Sequence, residues 1–269
     1  MSGAPSAAPP GSLASPQWTY LLAGVGGGVL SGLFGVGGGI VLVPLLTMVF
    51  HFSQKRAHAT SLVAIVLTAI SGTVSYVIAG QVLVAPALAI AVGGVAGSFV
   101  GAWILHRLSE DQVRIVFAVV IVLVALKMVF TPAAGGGESL DLSVAAVAGL
   151  LTAGLAMGTL SALVGVGGGI ILVPILVVVF GFVPTVAQGT SLLVMIPVAL
   201  MGAARNATHG YTDWRVGVVV GLGGVIGSPA GAWTALSLPA VWMQRLFAAL
   251  LVVCALQLLF KVRSSRHQV

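Results

Sequence analysis

Gly35-Val36-Gly37-Gly38-Gly39-Ile40 recurs letter for letter as Gly165-Val166-Gly167-Gly168-Gly169-Ile170. The offset is 130 residues, and the register extends well beyond the motif. Pro44 maps to Pro174, Phe50 to Phe180, Thr60-Ser61-Leu62 to Thr190-Ser191-Leu192, Gly72 to Gly202 and Gly80 to Gly210. Gly97-Ser98 with Gly101-Ala102-Trp103 maps to Gly227-Ser228 with Gly231-Ala232-Trp233. One register without gaps over most of the chain means a duplicated unit.

The 269 residues are 59% hydrophobic and only 6% charged, with a mean hydropathy of +1.18. That is too little charge to cover the surface of a soluble domain, so the chain reads as a polytopic membrane protein. Between polar breaks lie about eight apolar stretches long enough to cross a bilayer as helices. Strict alternation is absent, which argues for an all-α protein and against a β-barrel. Residues 1–17, rich in Pro, Ala, Ser and Gly, lack a basic start and apolar core and read as a disordered tail rather than a signal peptide. The single Cys254 excludes an internal disulfide framework and reads as a packing residue. The net charge of +6 does not point to nucleic acid, because the basic residues sit at helix ends, where they set orientation.

Repeat one is expected over 18–131 and repeat two over 143–262, with a linker at 132–142 and a cytoplasmic tail at 263–269. Each repeat begins with a segment too long for one crossing (about 18–52 and 143–182), carrying the Gly motif in its middle. Glycine is the poorest helix former after proline, so each segment is expected to be two helical arms joined at the motif. Three further helices follow: about 56–79, 82–106 and 111–130, then 185–209, 214–236 and 241–262. In repeat one, Lys55, Arg56, Arg107 and Arg114 mark one set of loops. In repeat two the basic residues Arg205, Arg215, Lys261, Arg263 and Arg266 mark the other set, with Arg245 and Lys127 as exceptions. Opposite Lys/Arg bias in matching loops predicts oppositely oriented repeats with both termini cytoplasmic. This requires an odd number of crossings per repeat: a hairpin that enters and leaves on one side, plus three helices.

In so apolar a chain, duplicated units broken by glycine form the pattern of a secondary transporter. Non-helical backbone at membrane depth is tolerated only inside protein or beside a wet cavity. The helix restarting at Ile40 or Ile170 would aim free N–H groups and its positive dipole end there, a ready anion site. Glycine packing between helices is the plainer alternative. The glycines are not a phosphate-binding P-loop, since no Lys-Ser/Thr follows them. Thr60-Ser61 and Thr190-Ser191 offer neutral hydroxyl donors to an oxyanion, with helix capping or back-bonding as the alternative. Gln188, at the position of His58, is a further polar candidate. Arg205-Asn206 stands where repeat one has Ser75-Tyr76, and Arg205 reads either as a cation in an anion path or as an interfacial side chain. The ladders Gly93/Gly97/Gly101 and Gly223/Gly227/Gly231 read as tight helix contacts.

All five acids, Glu110, Asp111, Glu138, Asp141 and Asp213, fall in loops or at helix ends. A proton relay or Na⁺ site built on an intramembrane carboxylate is therefore disfavoured. Outward movement of an anion needs no such coupling, because a negative interior contributes about 2.3 kcal/mol per charge per 100 mV. The chain thus leans toward export, or toward a substrate carrying its own proton. The five histidines lack metal-ligand spacing, and no Ser-His-acid set can be assembled at membrane depth. No enzyme, catalytic residue, metal or cofactor is expected.

The doubled Gly-Val-Gly-Gly-Gly-Ile-(Val/Ile)-Leu-Val-Pro, each copy followed about sixteen residues later by Thr-Ser-Leu, resembles the sulfite exporter TauE/SafE family, also known as the 4-toluene sulfonate uptake permease family. The resemblance implies a multi-pass transporter of a bacterial or archaeal inner membrane, handling sulfite, sulfoacetate or related organosulfonates. The implied site comprises Gly37, Gly38, Gly39, Thr60 and Ser61 with Gly167, Gly168, Gly169, Thr190 and Ser191, to which the residue reading adds Gln188 and Arg205. The expected partners are a small inorganic or organic sulfur oxyanion and the lipid bilayer, with a homodimer as an open option and no nucleic acid. A passive anion channel and a membrane scaffold or assembly factor remain as alternatives.

Overall fold

A computed structural model describes residues 16–105, 110–130, 143–164 and 168–266. The linker over 132–142 and nearly all of the tail over 1–17 lie outside the described residues. The described chain is all-helical. Repeat one contributes α1 (Gln17–Phe34), α2 (Gly39–Met48), α3 (Gln54–Ile78), α4 (Val84–Leu105) and α5 (Glu110–Phe130). Repeat two contributes α6 (Val144–Val164), α7 (Gly169–Val178), α8 (Pro184–Thr208), α9 (Trp214–Ser237) and α10 (Ala240–Arg266). The last helix thus runs through the segment expected to be a tail as far as Arg266.

Local chemistry sets these ends. Gly35 closes α1 in the left-handed region (φ 68°), its N–H donating to the Ser31 carbonyl at 2.8 Å, the usual glycine stop. Pro184 opens α8, where its missing N–H costs nothing. Asp213 caps α9, its carboxylate accepting the Val216 N–H at 3.2 Å.

The long Gly-broken segments fold back on themselves. Tyr20, near the start of α1, stacks on Phe50, just beyond the end of α2, with ring centroids 4.3 Å apart. At the equivalent place in repeat two, a Cβ added to Gly149 would lie 3.3 Å from the Phe180 ring. Both ends of each hairpin therefore lie together, as expected.

The two repeats are interleaved. Hairpin helix α1 packs along α9 of the other repeat, and α6 packs along α4. Glycine makes these contacts close. A Cβ at Gly28 would sit 2.6 Å from the Gly224 carbonyl oxygen, and one at Gly158 2.0 Å from that of Gly94. The ladder glycines Gly93, Gly97, Gly223, Gly227 and Gly231 meet backbone in the same way. In lipid, where apolar association gives little driving force, such backbone approach supplies the van der Waals contact that joins helices.

At the centre, α3 packs on its own repeat equivalent, α8. Gly72 meets Leu192 and Gly202 meets Leu62, two pairs that exchange under the 130-residue offset. Low numbers on one helix face high numbers on the other, so these equivalent helices run antiparallel.

Among the described residues, five helices contain stretches long and apolar enough to cross a membrane: Gln54–Ile78, Val144–Ser161, Pro184–Thr208, Trp214–Ser237 and Ala240–Gln257. The outer surface carries Ile78, Leu88, Val92, Leu123, Ile226 and many other exposed apolar side chains, far more than a water-facing surface tolerates. Trp18, Trp214 and Trp242 lie exposed near helix starts, where interfacial tryptophans belong.

Candidate functional site

The two hairpin tips meet each other. A Cβ at Gly169 would lie 2.7 Å from Val36 Cα and 2.8 Å from the Gly35 carbonyl oxygen. Gly37 and Gly38 adopt φ of 73° and 77°, a left-handed turn that residues with a Cβ rarely adopt. Met195 of α8 fills the space beside both tips: its Cε would be 2.4 Å from a Cβ on Gly37, and its Sδ 3.0 Å from one on Gly169. Ile65, the repeat equivalent of Met195, also borders Gly37. Met195 and Ile65 are both buried, so an apolar plug closes the meeting point.

Each tip starts a short helix. The Gly38 carbonyl accepts the N–H groups of Val41 and Leu42 at 3.1 and 2.9 Å, and the Gly168 carbonyl accepts those of Ile171 and Leu172 at 3.2 and 3.1 Å. The N–H groups ahead of these, at Gly39, Ile40 and their equivalents, are first-turn donors without an intrahelical partner. The tips are not identical. Gly168 is right-handed (φ −69°) where Gly38 is left-handed. Gly167 lies outside the described residues.

The threonines form reciprocal clips between repeats. Thr60 accepts the backbone N–H of Asp213 at 3.1 Å, and Thr190 accepts that of Leu83 at 3.1 Å. Each holds an orphan donor at the start of a helix in the other repeat, so both hydroxyls act here as acceptors in a structural link. At the Asp213 clip, Arg56 adds an ion pair to the carboxylate at 2.9 Å, and Lys55 lies over the Tyr211 ring at 5.8 Å. The equivalent positions at the other clip are neutral, with Thr185 donating to Gln81 Oε1 at 2.7 Å.

The serines divide. Ser61 donates to the His58 carbonyl at 2.8 Å, the back-bond weighed as an alternative. The hydroxyl of fully buried Ser191 makes no hydrogen bond. Gln188, also fully buried, accepts from the Tyr76 hydroxyl at 3.0 Å through Oε1, while its Nε2 has no partner. The single Tyr76 proton is shared with the Gly32 carbonyl, 2.7 Å from the hydroxyl, an acceptor left over in the last turn of α1. Arg205 is not brought to the tips. It is exposed in the last turn of α8, its guanidinium 5.5 Å over the Phe99 ring, about 25 Å along the helix from Gln188 at 1.5 Å per residue.

Sequence reasoning missed Tyr76, Ser31 and Met195 as neighbours of the tip. The signal for Tyr76 was its alignment with Asn206, in the very comparison that drew attention to Arg205. Among the described residues no cluster of His, Cys, Asp and Glu could hold a metal.

Crossing-length helices, a lipid-like outer face and two broken hairpins meeting inside define a multi-pass membrane protein built as transporters are. The chain belongs to the TauE/SafE sulfite exporter family, and is a membrane transporter of that family. The family model "Sulfite exporter TauE/SafE" matches residues 3–128 and 150–269. The chain is 27% identical to the probable membrane transporter protein YunE of Bacillus subtilis over 228 residues, 76% of this chain and 83% of that protein. It is 28% identical to the probable membrane transporter protein YdhB of the same organism over 241 residues, 87% of this chain and 96% of that protein. A probable membrane transporter protein of Haemophilus influenzae is 27% identical over 268 residues, 90% of this chain and 97% of that protein. No solved structure matches the chain.

Proposed function

We propose that this protein carries a small sulfur-containing oxyanion, such as sulfite, sulfoacetate or another organosulfonate, outward across a bacterial or archaeal inner membrane. The anion binds where the hairpin tips meet, held by tip N–H groups and neutral side-chain donors. The observation that carries the reading is the meeting of two Gly-broken tips beside an antiparallel pair of equivalent helices, α3 and α8. With each hairpin returning to its own side, three crossings separate the repeats, and the two lie in opposite orientation with both termini cytoplasmic. The Lys/Arg bias supports this, since Lys55, Arg56, Arg205 and Arg215 then share the cytoplasmic end.

The movement is one repeat rocking against the other. The clips at Thr60 and Thr190 lie at opposite ends of the bundle, so opening one while keeping the other gives access from one side at a time. Met195 and Ile65 keep the path closed meanwhile. This apolar closure favours a carrier over a passive channel.

The test is radiolabelled sulfite flux in proteoliposomes, with and without an imposed potential, competed by sulfoacetate, taurine and chloride. Saturable flux that follows the potential and is blocked by sulfonates is expected. Absence of flux under every gradient, from folded protein, would refute sulfite as a substrate.

A further inference from the structure

The two tips differ in their surroundings as well as in their backbone. Around the hairpin-one tip, three fully buried side chains have polar atoms with no hydrogen-bond partner: Ser31 Oγ, Gln188 Nε2 and Ser191 Oγ. Buried polar groups are otherwise nearly always paired, and such atoms carry the cost of lost hydration until something meets them. Their placement converges. A Cβ on Gly35 would lie 2.7 Å from Gln188 Cβ, one on Gly37 2.4 Å from Met195 Cε, and one on Gly38 3.5 Å from Ser31 Cβ. Ser191 lies on the same stripe of α8, between Gln188 and Met195 at helical spacing. The tip is thus flanked by Ser31 on one side and by Gln188 and Ser191 on the other.

Around the hairpin-two tip, two of the equivalent side chains bond within their own helices. Ser61 donates to the His58 carbonyl. Asn206, the counterpart of Tyr76, donates to Gly202 of its own helix at 2.8 Å. Gly168, moreover, has a right-handed backbone where Gly38 is left-handed.

We infer that the protein has a single, off-axis oxyanion seat at the hairpin-one tip, formed by Ser31, Gln188, Ser191 and the first N–H groups of α2, with Tyr76 as a positioning residue. This rests on the oxyanion reading and narrows it. All the side-chain donors are neutral, which suits an anion with several acceptor oxygens entering without a counter-charge. Tyr76 acts through Gln188: by holding Oε1 it turns Nε2 toward the seat. The seat takes residues from both repeats, so a rocking motion that separates them also takes it apart, releasing the anion.

The experiment is calorimetric titration of the purified full chain with sulfite, sulfoacetate, sulfate and phosphate in turn, with flux measured in parallel. One anion bound per chain is expected. Ser191→Ala and Gln188→Leu should each weaken binding tenfold or more, whereas Ser61→Ala should change it less than twofold. Tyr76→Phe should raise the KM for flux three- to tenfold with kcat within twofold, a split that simple loss of structure does not produce. Ser191→Thr should restore binding. Melting midpoints near that of the parent establish that each variant is folded. Equal losses in Ser61→Ala and Ser191→Ala, or two anions per chain, would overturn the single seat while leaving the transport reading in place. Phosphate binding with this asymmetry, without sulfite, sulfoacetate or sulfate, would leave the seat and remove the sulfur-oxyanion substrate. No binding of any of the four would refute both.

Discussion

Thr60→Val is the sharpest perturbation of the inter-repeat clip. Valine keeps the β-branched shape and replaces only the hydroxyl, so packing at this fully buried position changes little. What is lost is the acceptor for the Asp213 N–H. That N–H cannot move to water. Asp213 is 5% exposed, its carboxylate is pinned by Arg56, and it caps α9. The N–H therefore stays buried and unsatisfied, which costs about 1–3 kcal/mol, and the pinning places the loss near the upper end, about 2–3 kcal/mol. This is roughly a 30- to 160-fold change in the folding equilibrium. The equivalent change at the other end, Thr190→Val, should cost less, about 1 kcal/mol, because Leu83 is only partly buried and its N–H can find water. Equilibrium unfolding in mixed micelles, with amide exchange at Asp213 and Leu83, measures both, and Thr60→Ser should restore stability. If Thr60→Val unfolds like the parent but abolishes oxyanion flux, the hydroxyl serves the ligand and the clip reading is refuted.

Three further outcomes are expected. Gly28→Ala should destabilise by about 1–3 kcal/mol through overpacking against the Gly224 backbone, whereas Gly26→Ala, with nothing within 4 Å of the added carbon, should stabilise by about 0.5–1 kcal/mol; thermal melts of the pair separate contact from propensity. His51 holds φ at 56° where repeat two has Gly181 at 68°, so His51→Gly should gain about 0.5–1 kcal/mol and Gly181→Ala lose about 1 kcal/mol in the same assay. Cysteines placed at Gly80 and Ser237 should react with an impermeant thiol reagent from outside the cell, and one at Gln54 should not. External labelling at Gln54 would sink the inverted orientation.

The glycine triplets made the hairpins legible, because nothing else interrupts an apolar run of that length, and Tyr20 on Phe50 closes the first as the topology required. The ladders at Gly93 and Gly223 announced close contacts but not their partners. A small-residue face states how near a neighbour comes, not which neighbour it is, so the pairing of α1 with α9 and of α6 with α4 could not be read. At the site, Thr60 and Thr190 were legible as polar groups at the right depth, but their role as acceptors depends on where Asp213 and Leu83 arrive from the opposite repeat. Ser61 and Ser191 are identical in sequence context over three residues and differ in use, since Ser61 bonds back to His58 and Ser191 does not. Arg205 drew notice because it carries charge. Its helix places it at the end of α8, while the uncharged Tyr76 lies against the tip.

The pairing of α1 with α9 also fixes an order of events during synthesis. When α1 has been made, the surface it will finally occupy begins at Trp214, 180 residues later, roughly 10–40 s away at ordinary elongation rates. Throughout that interval the glycine face of α1 must wait beside lipid, the insertion machinery or a temporary helix neighbour. The first half of the chain therefore cannot reach its native arrangement by itself, and the second half completes it. A truncation before α9 leaves α1 an unmated helix rather than a smaller working unit.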